Sequence, residues 1–172
     1  MAILAAILYP PGTEIDGLLG EVARKVADAG GRVGGVAQRR GADGKGLALT
    51  DLGNGAVRPI SQNLGPLSTS CKLDTSAMAE IAGDLERQID AGLDLVILSR
   101  FGIREVEGGG FRSLFGRAML AGTPLLTAVR FEYAPAWTTF HGCLGIDLPP
   151  YETQILTWAK AVVLKAPQPA GV

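Results

Sequence analysis

Apolar residues recur along this chain with two periods, and the alternation between them outlines the elements. Residues 3–8 (Ile-Leu-Ala-Ala-Ile-Leu) form an unbroken apolar run, the pattern of a strand buried on both faces. Over residues 16–29 the spacing becomes helical. Leu18, Val22 and Val26 make a stripe, Glu21, Arg24, Lys25 and Asp28 face away from it, and Gly30-Gly31 ends the run. Residues 33–38 predict a second strand, weakened by Gly34 and Gly35. Residues 47–51 and 57–61 predict a hairpin turning at Gly53-Asn54-Gly55, with Pro59 placing its second strand at a sheet edge. A loop follows as far as Asp74 or Thr75, either of which suits a helix N-cap. Met78, Ile81, Leu85 and Ile89 mark the next helix, ending near Gly92.

Residues 95–98 predict a third buried strand, and residues 99–110 a loop ending in three glycines. A helix over 111–121, a strand over 124–129, a short helix over 133–140 and a last helix over 152–164 complete the pattern. Trp137, Phe140 and Trp158 are read as core or interface anchors. One domain over 1–165 and a flexible tail over 166–172 are expected. Strands alternating with helices imply crossover units, hence an α/β fold with a mainly parallel sheet and a small hairpin insertion. Ligands of such sheets sit beyond the carboxyl ends of the strands. That rule brings the loops 10–17, 39–45 and 99–110 to one edge.

Composition narrows the picture. The chain has 172 residues with 47% apolar content, enough for one domain with a real core. A formal net charge of -1 offers no global attraction to nucleic acid or anionic lipid. The longest apolar run is too short to span a bilayer and lacks a basic leader, so a cytoplasmic protein without membrane insertion is expected. Cys71 and Cys143 are the only cysteines, too few for a disulfide framework.

The chemistry concentrates in residues 12–19. The spacing of Gly12 and Gly17 after a buried strand is that of a phosphate-binding loop, GxxxxGK[ST]. Leu18 and Leu19 stand where that motif has a lysine for the β/γ-phosphates and a hydroxyl for Mg²⁺. Gly12, Thr13 and Gly17 still permit a cradle of backbone N–H groups at a helix start. Glu14 and Asp16 would repel a phosphate if turned inward, and Asp16 equally suits a helix cap. At the end of the third strand, Ser99 and Arg100 replace an expected acidic residue. A guanidinium binds oxyanions, not cations. Arg104, Arg112, Arg130, Arg39, Arg40 and Lys45 fall in loops or element ends, with Glu105 and Glu107 partly neutralising them. Ser70, Cys71 and Lys72 precede a helix start and offer further donors. A Cys71–His141 pair is a further candidate, His141 being the single histidine. No set of residues has metal-ligand spacing.

Five stretches carry a family resemblance: Tyr9-Pro10-Pro11-Gly12, residues 70–74, residues 95–102, residues 107–112 and residues 122–129, together with Trp137 and Phe140. They resemble a bacterial domain of unknown function, often encoded beside molybdate ABC-transporter genes. That domain is in turn similar to P-loop nucleoside-triphosphatases of the thermophile and cancer-related type. The resemblance implies a three-layer P-loop-NTPase-like fold. It also implies a link to molybdenum handling, with molybdate or a nucleotide as ligand.

The expected activity is therefore non-hydrolytic binding of an oxyanion or phosphate ligand, in an accessory role, with no catalytic residues and no resident cofactor. Gly12, Thr13, Gly17, Ser70, Cys71, Lys72, Ser99, Arg100, Arg104 and Arg112 are the candidate contacts. Two alternatives stand beside it. One is a divergent nucleoside-triphosphatase using Lys45 or Lys72 as a substitute lysine. The other is an interaction module with a vestigial pocket. Molybdate-transport components and a second copy of the chain are the expected partners.

Overall fold

The computed structural model describes residues 1–62 and 72–164. In chain order its elements are β1 (Leu4–Tyr9), α1 (Ile15–Asp28), β2 (Val33–Arg40), β3 (Leu47–Asp51), β4 (Val57–Pro59), β5 (Ser61–Gln62), β6 (Lys72–Leu73), α2 (Thr75–Asp90), β7 (Leu95–Leu98), α3 (Ile103–Val106), α4 (Arg112–Leu120), β8 (Leu125–Arg130), α5 (Ala134–His141), β9 (Gly145–Leu148) and α6 (Glu152–Val163). The main sheet has the order β4-β3-β2-β7-β8-β1-β9. Strands β2, β7, β8, β1 and β9 are parallel neighbours, and β3 and β4 extend the sheet antiparallel. The tail at 166–172 lies outside the described residues.

Two apolar layers sandwich this sheet. On one face, Ile15, Leu19, Val22 and Val26 of α1 and Ile155, Trp158 and Val162 of α6 pack on Ile7, Ile97 and Leu126. On the other, Ile81, Leu85 and Ile89 of α2, Leu114 and Phe115 of α4 and Trp137 of α5 pack on Ala6, Val96, Leu98 and Leu125. Adjacent residues of one strand serve opposite layers, which is why the strands read as unbroken apolar runs. Lys25 of α1 pairs with Glu152 of α6, and the Trp158 indole donates to the Ala2 carbonyl at 3.0 Å.

Gly35 decides how closely β2 lies against β7. Its φ is +112°, and a Cβ there would stand 2.0 Å from the Ile97 carbonyl oxygen. The glycine that weakens the strand signal is thus required by the sheet. The N-cap at Asp74 forms as expected, its carboxylate accepting from the Ala77 N–H at 3.0 Å.

Three expectations are corrected. The second hairpin strand stops at Pro59, and Ser61–Gln62 pairs instead with Lys72–Leu73 as a separate ribbon. Between them Ile60 is buried, and its N–H bonds to the Leu47 carbonyl. The segment 99–110 is not all loop, because α3 forms inside it. Strand β9 was not expected. It pairs along the edge of β1, and its exposed face removes the apolar signal.

Candidate functional site

The carboxyl ends of β1, β2 and β7 open into a cleft of about 840 Å³. Residues 13–17 and Gly20 form one wall, residues 37–41 with Thr50 and Leu52 the other, and Arg100 closes the end. The three loops expected at this edge all reach it, but only some of their side chains do.

The loop between β1 and α1 is shorter than the glycine spacing suggests. It runs from Pro10 to Glu14, and α1 begins at Ile15. Gly17 is therefore the third residue of the helix rather than the end of a cradle. Leu18 packs against the α1 layer and Leu19 is fully buried in it, so neither stands at the place of a phosphate-contacting residue. Gly12 supplies the turn with a φ of +86°, and the Thr13 hydroxyl braces it by donating to the Pro10 carbonyl at 2.9 Å. Among the described residues, the main-chain N–H groups of Gly12, Thr13, Glu14, Asp16 and Gly17 have no acceptor. Glu14 occupies the cap position without a side-chain cap bond. These donors and the positive end of α1 constitute an anion-attracting terminus.

Asp16 turns inward at the helix start. Its Oδ2 accepts from Arg100 Nη2 at 2.7 Å, tying the first turn of α1 to the end of β7 across 84 positions of sequence. Asp16 is thus a tie from α1 to the segment after β7 rather than a cap. Burial raises its pKa above the ordinary aspartate value, and the Arg100 charge and hydrogen bond and the Gln38 main chain only partly offset this. Asp16 Oδ1 and Arg100 Nε are both buried without a partner among the described residues. Each orphan of this kind costs about 1–3 kcal/mol, so the pair leaves hydrogen-bonding capacity unspent.

The remaining candidates are dispersed. Ser99 is buried at 5% exposure and lines no part of the cleft. Arg104 is exposed on α3 and lies outside the cleft. Arg112 donates to the Glu105 carbonyl at 2.7 Å, and its guanidinium sits 4.7 Å from the Phe140 ring centroid. Arg130 lies in a neighbouring cavity of about 210 Å³ that shares Arg100. Ser70 and Cys71 lie outside the described residues, and Lys72 stands in β6. Arg39 and Arg40 do line the cleft, whereas Lys45 does not.

Glu105 has a task the sequence did not suggest. It is buried, and its two carboxylate oxygens accept from the N–H groups of Gly102 and Phe111, both at 3.0 Å. It closes the segment that follows Arg100 rather than neutralising arginines. The spacing of Gly102 and Glu105 at a helix start was the available signal. His141 is also structural: Nδ1 accepts from the Gly145 N–H at 3.1 Å, and its ring lies 4.9 Å from Trp137.

The resemblance to P-loop nucleoside-triphosphatases implies a nucleotide and Mg²⁺, and the residues here fit these unequally. Open N–H groups and arginines suit an anion. Ile15 at the helix start is buried, Asp16 is held by a guanidinium, and Ser99-Arg100 follow β7. None of these suits a divalent cation.

The family described as "Protein of unknown function (DUF2478)" matches residues 4–158. The chain belongs to this family. Among curated proteins, the chain is similar to the "Molybdenum import ATP-binding protein ModC 2" of Bradyrhizobium diazoefficiens. It is 36% identical over 149 residues, covering 84% of this chain and 17% of that protein. The chain thus spans about a sixth of the length of this relative. Two solved structures share the fold at low identity. A human cancer-related nucleoside triphosphatase has a TM-score of 0.63 at 13% identity, covering 96% of this chain and 99% of that one. THEP1 from the hyperthermophile Aquifex aeolicus has a TM-score of 0.62 at 15% identity, covering 96% and 100%. The fold is therefore that of P-loop nucleoside triphosphatases. Among the described residues, no helix is long and apolar enough to cross a membrane.

Proposed function

We propose that this domain binds an anionic ligand without hydrolysing it, as an accessory to molybdenum import. The observation that carries the reading is the Asp16–Arg100 pair. It ties the first turn of α1 to the segment after β7, in a sequence where Leu18 and Leu19 stand at the lysine and hydroxyl positions of a phosphate loop and Ser99-Arg100 replace an acidic strand end. The cleft holds Arg39, Arg40 and Arg100 against Glu14 and Asp16, three positive groups against two negative. An incoming oxyanion replaces Asp16 at Arg100, gains the free N–H groups of the α1 terminus, and gives Arg100 Nε an acceptor. Thr13 and Gly17 flank that position, and Gly12 sets the turn that leads into it.

The molybdenum link rests on the relative named for molybdenum import, in which a segment similar to this chain is one part of a much longer protein. A domain that travels with an ATP-binding protein while lacking the residues for hydrolysis suits sensing rather than energy supply. Titration calorimetry with sulfate, molybdate, tungstate, ATP and GTP tests the reading. Heat with at least one of them is expected, and it is lost in Arg100→Ala. Silence with all five overturns the proposal, as does phosphate release from ATP or GTP with Mg²⁺.

A further inference from the structure

Two guanidinium groups face one small cavity that is separate from the cleft at α1. Tyr9 ends β1, Arg130 ends β8, and Arg100 and Phe101 follow β7, so three neighbouring strands deliver these side chains to one place. Ile103 and Tyr133 complete the walls of a cavity of about 210 Å³. Among the described residues, no carboxylate lines it. The carboxylates paired with its arginines stand outside it, Asp16 on Arg100 at 2.7 Å and Glu132 on Arg130 at 3.4 Å. The second contact is long and open to solvent, so it holds Arg130 only weakly. Tyr9 is 3% exposed, and its hydroxyl acts on Arg130 from within the cavity wall.

The other walls are aromatic or aliphatic. The Phe101 ring packs edge-on against Phe115 and Trp137, so the core fixes its position. Ile103 is half exposed at the mouth. A bare, doubly charged oxyanion is strongly hydrated and is not favoured by such walls. The volume lies below the roughly 300–1,000 Å³ of drug-sized ligand pockets, a size for one ring or one branched chain rather than a nucleotide. We propose that this cavity is a second binding site, for a small organic monocarboxylate whose carboxylate meets Arg130 and Arg100 and whose apolar body lies among Phe101, Ile103 and Tyr133. Guanidinium groups pair with a carboxylate through parallel hydrogen bonds, and the apolar walls favour burial of its body. The site goes beyond the anion reading of the cleft, because it depends on Arg130, which the cleft does not use.

Calorimetry with benzoate, 4-methylpentanoate and acetate, beside sulfate, tests it. Benzoate or 4-methylpentanoate is expected to bind about ten-fold or more tightly than acetate. Arg130→Gln changes a half-exposed side chain, and thermal unfolding checks that the variant folds. It is expected to weaken that carboxylate about ten-fold or more while leaving sulfate within about two-fold. Ile103→Ala is expected to narrow the gap to acetate by about three-fold. Arg24→Gln removes the same charge from the exposed face of α1, where Arg24 pairs with Glu21 and Asp28, and is expected to change neither affinity. If neither larger carboxylate binds more tightly than acetate, or if their binding survives in Arg130→Gln, this site falls, and sulfate binding that depends on Arg100 still supports the anion site in the cleft. If the carboxylates bind through Arg130 while sulfate gives no heat, this site stands without the other.

Discussion

In the proposed anion site Asp16 and Arg100 are hydrogen-bonded to each other. An ionised Asp16 competes with any anion for the guanidinium, so removing its charge should help binding. Asp16→Asn is expected to tighten sulfate binding several-fold, and Arg100→Ala to abolish it, both read by calorimetry. Acidity acts in the same sense. Burial raises the Asp16 pKa in the folded chain above its unfolded value, so the folded state holds that proton more tightly. The contribution of Asp16 to stability therefore grows as pH falls through the interval between those values, and is lost as pH rises through it. Sulfate keeps its charge over this interval, and its affinity is expected to rise as the solution is acidified. An affinity that falls with acid, or that keeps the same pH profile in Asp16→Asn, would contradict this picture.

At the level of elements, each strand and helix is held by a small number of identifiable groups. Gly35→Ala would drive a Cβ into the Ile97 carbonyl at a left-handed φ. A loss of about 4 kcal/mol or more is expected from denaturant unfolding. Asp74→Ala removes one cap bond of α2 and should cost about 1 kcal/mol. The elements built on long apolar runs were legible because the sheet is covered on both faces and the helices on one. Strand β9 and helix α3 were not. Gly145-Ile146-Asp147-Leu148 lies at an edge where burial asks little of its residues, and Ile103–Val106 is one turn, too short to show a period.

For the whole molecule, a ligand held at the proposed site would couple binding to folding, because the Asp16–Arg100 pair joins α1 to the segment after β7. A ligand at 100 times its dissociation constant adds about 2.7 kcal/mol to stability. For a chain of this size that raises Tm by about 5–10 °C. Sulfate at such a concentration is expected to give this shift in scanning calorimetry, and Arg100→Ala to remove it. A shift that persists in the variant would place the anion elsewhere. The same coupling suits the proposed accessory role, since ligand occupancy would stiffen the edge without a chemical step.

The amino-acid order alone determined the layers, the parallel sheet and the edge at which the cleft opens. Apolar periodicity records which faces are buried, and crossover connections follow from the alternation of elements. It also showed that a phosphate-loop lysine is absent from residues 12–19. Only the tertiary structure decided where the helix begins, which moved Gly17 into α1 and sent Leu19 to the core. Only it joined Asp16 to Arg100, drew Arg112 to Phe140 and gave Glu105 two main-chain donors. The reason is physical. Burial leaves a local periodic trace in a sequence, whereas a charge pair between residues 84 positions apart leaves none until the sheet brings its ends together.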